Sequence, residues 1–397
     1  MKKVLSFLMV AFIAATVYFC FFDEDKISAN ESEILEIVEK NPTLYPVYHR
    51  LPEDEKEIYI KICAATRNFE DTISRVYKGD SKIEVENFVN SLKDSLYQEI
   101  AYEHPDIFWY DPYNFEALIS VNNKGEYFLD IKPSYLFTEE EVEEMTEKFD
   151  NKVQKIASVA KSKPNTYEQV LYIHDYIVKN CVYDDETYKN ANFKSSSINA
   201  YGCLVEGKAI CSGYAMAFNA VMKQLDFEVG VEFSSYNGVS IFKEEHVWNY
   251  CKLDDEYYYF DLTWDDGDPN SENYKFAEYN HSYFAITKDE LESARMTLSP
   301  KAPTPECNGT KYNYFVYNNL NFNVYNFNSV KKAILSRDSQ GAVELRFDSY
   351  GELLKAERDL LTNGRISEIF PNAETDRYYT SKSKLQLYIF LDNYSLF

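Results

Sequence analysis

The sequence predicts an α+β protein, and three observations carry that reading. Residues 31–100 and 138–162 place apolar side chains at helical spacing, and Thr138 with Glu141 forms a capping box at the start of the second stretch. Runs rich in aromatic and β-branched residues follow one another from Phe227 to Thr263 with tight turns between them. Between these stretches, Tyr214, Phe218, Val221, Met222 and Leu225 fall at i, i+4, i+7, i+8 and i+11, the stripe of an amphipathic helix. The expected core is that helix packed on an antiparallel sheet. A mainly helical region precedes it and a small α+β domain follows.

Composition narrows the class. A chain of 397 residues is long for one core and implies two or three domains. Tyrosine (35) and phenylalanine (27) outnumber glycine (12) and proline (12), which excludes a disordered or low-complexity chain. A net charge of −24 disfavours nucleic acid as a partner, since that binding needs basic surface; a solvated acidic exterior is the plainer reading. The seven cysteines stand at 20, 63, 181, 203, 211, 251 and 307, without a CxxC pair or zinc-ligand spacing. No metal site or disulfide framework is therefore expected, and Cys203 reads as a small buried residue.

In chain order, residues 1–25 read as a targeting segment. Lys2 and Lys3 precede nineteen uncharged residues, Val4–Phe22, close to the ~20 that span a bilayer. The bulky Val17–Phe22 stretch makes a poor cleavage site, so an uncleaved membrane anchor through residues 4–22 is expected, with the body outside; cleavage and secretion is the alternative. Residues 26–150 form the helical accessory region, which ends in a hairpin of Phe115–Ser120 and Glu126–Lys132 about Asn123-Lys124-Gly125. Residues 151–300 form the core. Pro164 stops one helix, and another starts at Thr166 with Val170, Ile173, His174 and Ile177 on one face. Adjacent helical residues do not face each other, so His174 reads as structural, or as a support behind the site, rather than catalytic. A polar loop, Lys179–Asn199, delivers the chain to the cysteine helix, and Ser282–Ile286 reads as a late strand of the sheet. Pro300, Pro303 and Pro305 mark a boundary. Residues 301–397 then read as β, α, β, α, β, starting with a strand at Tyr312–Tyr317.

The chemistry concentrates in residues 201–266. Cys211 stands where a small-residue loop (Gly202, Gly207, Ala209) gives way to the helix, so its sulfur meets the positive end of the macrodipole, which favours the anionic nucleophile. His246 and Asp261 lie on two strand-like runs joined at Asp254-Asp255. With a two-residue turn, Leu253 faces Glu256, His246 falls opposite Thr263, and Asp261 becomes its diagonal neighbour on the same face, within reach of a hydrogen bond. Cysteine, histidine and aspartate in these positions suggest a nucleophile, its base and the base's orienter. The Cys211 backbone N–H would meet an oxyanion, Tyr201 is a candidate second donor, and Trp248 and Trp264 are pocket walls or core aromatics.

Three blocks resemble the core of the transglutaminase-like superfamily, whose fold is related to papain-type cysteine proteases. They are Gly207-Lys208-Ala209-Ile210-Cys211-Ser212-Gly213-Tyr214-Ala215, His246-Val247-Trp248-Asn249, and Tyr259-Phe260-Asp261-Leu262-Thr263-Trp264-Asp265-Asp266. Tyr167–Asp184 also resembles the helix before the nucleophile in bacterial members. The resemblance spans about residues 165–290. It implies thiol-dependent acyl transfer on amide bonds of a protein or peptide, by transamidation or hydrolysis through a thioester, with no compulsory cofactor. The chain departs from the eukaryotic enzymes in having no tryptophan shortly upstream of Cys211 and no evident calcium site. A scaffold or binding module on the same fold is the alternative.

Overall fold

The computed structural model describes residues 28–94, 96–190, 193–236, 245–266, 280–293, 296–298, 304–336, 342–371 and 378–390. The expected anchor at residues 4–22 lies outside them, as does the Asn237-Gly238 pair, which the sequence marks as a turn between the strand at Phe227–Phe233 and the one carrying His246. Among the described residues no helix is long and apolar enough to cross a membrane. The chain divides into two compact units, residues 1–148 and 149–397.

The first unit begins with helices α1 (Ala29–Lys40), α2 (Pro46–Arg50) and α3 (Glu53–Arg67). Ser28 and Glu31 form a reciprocal capping box that satisfies the first amides of α1. Strand β1 (Ile73–Gly79) follows, then α4 (Lys82–Asp94), α5 (Leu96–Glu103), β2 (Tyr110–Val121) and β3 (Tyr127–Tyr135). The β2–β3 hairpin is the expected one, with Gly125 at φ 81° in its turn. Strand β1 corrects the helical reading of residues 31–100. It pairs antiparallel with β3, but Arg75 sits at φ 53° and the register shifts between Ile73 and Tyr77. That irregularity breaks the period-two alternation by which a strand is recognised in sequence.

Helix α6 (Glu139–Lys161) leads into the second unit, its first turn closed by Thr138 and Glu141 as expected. Helix α7 (Thr166–Asn180) starts at an Asn165 cap. The stretch read as a polar loop holds β4 (Val182–Tyr183) and α8 (Asp185–Lys189), and β4 pairs in parallel with β5 (Lys208–Ala209). Next come α9 (Cys211–Lys223), β6 (Val229–Tyr236), β7 (Glu245–Leu253), β8 (Glu256–Phe260) and the single turn α10 (Leu262–Asp265). Helix α11 (Lys288–Ser293) and β9 (Met296–Leu298) complete a four-stranded antiparallel sheet in the order β8-β7-β6-β9. Helix α9 is buried on nearly all sides and packs on β7 and β6. This is the expected helix on an antiparallel sheet. Ser282–Ile286 is not a strand: residues 282–285 form a turn with Ala285 at φ 53°, and Ile286 alone bridges to Tyr259.

The C-terminal portion belongs to the same compact unit. It contains α12 (Tyr314–Tyr317), β10 (Asn321–Phe322), α13 (Phe327–Leu335), β11 (Ala342–Phe347), α14 (Tyr350–Glu357), β12 (Tyr378–Ser381) and β13 (Gln386–Phe390). Its sheet runs β10-β11-β13-β12. The aromatic run at 312–317, expected as a strand, is a helical turn, because the Asn313 side chain accepts from the amides of Phe315 and Val316 and starts a helix there.

Candidate active site

The nucleophile position is built by the turn before α9. Ile210 donates its amide to Ser197 O at 2.8 Å, and α9 begins at the next residue. A Cβ on Gly213 would fall 2.7 Å from Ser197 O and 2.9 Å from Asn199 O, so only glycine lets the helix start pack this closely on the preceding chain. The N-cap residue Ile210 makes no side-chain hydrogen bond over the first turn. The N-terminus of α9 is therefore not closed by its own cap, and Cys211, 8% exposed, is the first residue of the helix, where the dipole's positive end lies.

One buried carboxylate holds that turn in shape. Asp184 accepts from the Thr187 amide at 3.1 Å, the Thr187 hydroxyl at 2.7 Å and the Ser197 hydroxyl at 2.6 Å, and pairs with Lys208 Nζ at 2.9 Å. Burial alone would raise its carboxyl pKa. The bonds from Ser197, Lys208 and Thr187 outweigh burial and hold it well below the usual carboxylate range.

Strand β7 brings His246 to the sulfur. Its pairing with β8 has Leu253 opposite Glu256 and Asn249 opposite Phe260, the register expected from a two-residue turn, with Asp254 at φ 54°. Beyond Phe260 the chain leaves the strand and Asp261 becomes the N-cap of α10, Oδ1 accepting from the Trp264 amide at 3.1 Å. Its other oxygen, Oδ2, lies 2.7 Å from His246 Nε2. Cys211 lies close enough to the same imidazole to act on its charge. Burial opposes the imidazolium, but Asp261 and then Cys211 outweigh it and lift the His246 pKa to about 10.

Helix and strand are locked together a little further in. Asn249 Nδ2 donates to Ala215 O at 3.0 Å and to Asn219 Oδ1 at 2.9 Å, which fixes α9 on β7. The Tyr214 hydroxyl donates to Asp266, tying α9 to the chain after α10.

The two tryptophans take different roles. Trp264 stacks on His246 at 5.3 Å between ring centroids and 15° between planes, and Tyr283 meets it edge-on. Trp248 is 1% exposed and belongs to an apolar cluster with Tyr250, Tyr259, Ile286, Leu291 and Cys307, while its ring tilts 5.8 Å from that of His246. Tyr201 is buried at the head of the tight turn Gly202–Glu206. All the described cysteines, Cys203 included, are free thiols.

Sequence reasoning takes His174 as structural or as a support behind this site, and misses the partners that gather around it. Asp265, on α10, accepts from the Tyr283 amide and lies 3.1 Å from His174 Nε2. His174 Nδ1 in turn lies 3.1 Å from Asp175 Oδ1, which corrects the expectation that these helical neighbours do not meet. His281 and Glu344 extend the group. No local spacing signals it, because His281 and Glu344 reach it from distant parts of the chain.

Comparison with known proteins gives one family match and two similar solved structures. Residues 153–262 match the family model described as the transglutaminase-like superfamily. Among solved structures the chain is similar to a TGase, with 14% identity and a TM-score of 0.27 over 42% of this chain and 49% of that one. It is also similar to a candidate cysteine protease from Cytophaga hutchinsonii, with 18% identity and a TM-score of 0.24 over 38% of this chain and 62% of that one. Both matches thus span less than two thirds of the other chain's length. No curated protein matches. With Cys211, His246 and Asp261 all inside the matched segment, the chain carries a transglutaminase-like domain over residues 153–262.

Proposed function

We propose that the chain is a thiol-dependent acyl transferase or hydrolase acting on amide bonds of proteins or peptides. The observation that carries this reading is His246 between Asp261 and Cys211, with the sulfur at the uncapped start of a buried helix. In the reaction, the Cys211 sulfur attacks the amide carbonyl carbon, and the Cys211 amide at the helix start supports the oxyanion, with Tyr201 as a second donor. The C–N bond breaks as His246 passes its proton to the leaving amine, leaving an acyl thioester. Water or a second amine then attacks the thioester, His246 takes the proton of that nucleophile, and the thiol is restored. Asp261 orients the imidazole and supports its charge. Trp264 forms one wall of the site. The uncharged stretch Val4–Phe22 supports an extracytoplasmic, membrane-anchored or secreted body whose substrates lie outside the cell.

The test is alkylation by an iodoacetamide-type probe across pH, in the wild type and in Cys211→Ala and His246→Ala. One thiol should react fast below the ordinary cysteine pKa of about 8.5. It should vanish in Cys211→Ala and slow by about tenfold or more in His246→Ala. The comparison is internal, since burial raises the pKa of the Cys63 and Cys307 thiols. Labelling of Cys211 no faster than those two would reject the reading in favour of a binding module. Amine incorporation against free-acid release from a glutamine peptide then separates transferase from hydrolase.

A further inference from the structure

Three side chains that the proposed reaction does not use converge behind the site. His174 and Asp175 come from α7, and His281 precedes the turn at 282–285; one ligand atom from each lies within 4.8 Å of the others. Asp175 Oδ1 is 3.1 Å from His174 Nδ1 and 2.9 Å from His281 Nε2. The far nitrogen of each ring faces a further carboxylate: His174 Nε2 lies 3.1 Å from Asp265 Oδ2, and His281 Nδ1 lies 2.6 Å from Glu344 Oε1. Both outer carboxylates are anchored. Asp265 accepts from the Tyr283 amide at 3.0 and 3.2 Å, and Glu344 Oε2 from the His281 amide at 3.1 Å. His174, His281, Asp265 and Glu344 are all buried.

A proton inventory shows what this arrangement requires. A neutral imidazole carries one N–H. If each ring gives its proton to its outer carboxylate, the inner nitrogens turn lone pairs toward a carboxylate oxygen that is itself only an acceptor. The other neutral arrangement turns both N–H groups onto Asp175 and needs protonated Asp265 and Glu344; in the first, three lone pairs converge and call for positive charge among them. Two added protons would supply it, at the cost of two imidazoliums sharing one Asp175 oxygen with ring centroids only 5.3 Å apart in a buried site. A divalent cation supplies the same two charges and leaves both rings neutral. The five side chains and their occupant total −1 either way. Lys384, whose ammonium lies over the Tyr283 ring and near Asp265, stands close enough to offset that charge.

Geometry admits the ion. Ligand atoms about 2.0 Å from a tetrahedral ion stand roughly 3.3 Å apart; the two edges through Asp175 Oδ1 are 2.9 and 3.1 Å, and the ring-to-ring edge, within 4.8 Å, closes as the ion draws the two imidazoles together. A carboxylate on the far N–H of each ring is the arrangement that orients metal-ligating histidines. The Asp175 side chain is 28% exposed, which gives a route for an ion and for water to complete its coordination.

We propose that His174, Asp175 and His281 form a structural site for a divalent transition metal, with zinc the ion best suited to two imidazole nitrogens and one carboxylate. The bound ion braces α7 against α10 through Asp265 and against β11 through Glu344. It thereby steadies the helix that Asp261 caps. The site does not depend on the proposed acyl chemistry.

The test uses the full chain, stripped with a chelator and titrated with zinc and then cobalt. Readouts are ion content by mass spectrometry, calorimetric affinity, the visible absorption of cobalt and the thermal midpoint. One ion per chain is expected, with a midpoint that rises on zinc addition. Asp175→Asn and His281→Gln should lose the stoichiometric ion, Glu344→Gln should bind about 10–100-fold more weakly, and Cys211→Ala should bind as the wild type does. Failure of the stripped wild type to take up an ion, with an unmoved midpoint, would overturn the proposal and leave the network proton-bridged. Equal binding by wild type and His281→Gln would overturn it as well, by placing the ion elsewhere. Should the ligand variants fail to fold, the wild-type titration and Glu344→Gln still decide.

Discussion

At the scale of single residues, Asp261 does two jobs with its two oxygens, capping α10 through Oδ1 and charging His246 through Oδ2. Asp261→Asn separates them. Asparagine caps a helix about as well as aspartate, so α10 should survive, while the charge beside the imidazole is lost. The His246 pKa, lifted to about 10 against an ordinary value near 6.5, should fall by about 1–3 units, read by NMR titration of the ring or by the pH profile of Cys211 alkylation. The same shift fixes the sign of a stability effect. A histidine whose folded pKa is raised contributes stability that is complete below about pH 6.5 and is lost as pH rises toward 10. Denaturant midpoints of the wild type should therefore decline across that window, and the decline should be shallower in Asp261→Asn. An unchanged profile in the variant would mean that Asp261 only caps. The thiol at a helix start and the two-residue turn were legible in the sequence, because they rest on local rules; the strand position opposite His246 was not, since the chain leaves β8 after Phe260, Thr263 joins α10, and Asp261 reaches the ring as a helix cap instead.

At the scale of elements, the same rules explain what was legible and what was not. Helix α6 announces itself by its capping residue Thr138, α7 by the stop at Pro164 and the face of Val170, Ile173 and Ile177, and α9 by its apolar stripe. Strand β1 hides behind the bulge at Arg75, and the turn at 314–317 behind a run of aromatics that favours a strand until Asn313 is recognised as a cap. Least legible is the platform under the nucleophile, where β4, β5 and the turn at 196–198 are too short to carry a period. Asp184 organises that platform through four partners: the Thr187 amide, the Thr187 and Ser197 hydroxyls and Lys208. Asp184→Ala should cost about 2–4 kcal/mol, since it removes several bonds to one charge and leaves buried donors behind. A carboxyl held below its unfolded pKa stabilises above about pH 4 and loses that contribution as pH falls. The wild type's stability advantage over Asp184→Ala, measured by urea unfolding, should therefore narrow on acidification. An advantage that stayed constant down to pH 2 would place the effect in packing.

At the scale of the molecule, the C-terminal sheet shares a compact unit with the transglutaminase-like segment, although the prolines near 300 read as a boundary. The reason lies in polar contacts that no local pattern encodes. Glu344 meets His281, and Gln386 and Tyr388 both reach the Ser282 hydroxyl, at 2.8 and 2.6 Å. Arg346 pairs with Glu290 at 2.7 Å, and Asn318 donates to the Tyr167 hydroxyl at 2.5 Å. Cys307 adds a buried contact to the cluster around Trp248. A chain ended at Leu298 would strip these partners from His281 and Ser282 while leaving both on the segment that braces α10. Each buried polar group so orphaned costs about 1–3 kcal/mol, and the Trp248 cluster would be opened to water besides. The shortened chain should lose its cooperative thermal transition or melt about 10 °C or more below the full chain, and Cys211 should lose its selective alkylation together with the fold. A truncated chain that melts with the full-length midpoint would instead make residues 299–397 an independent appendage.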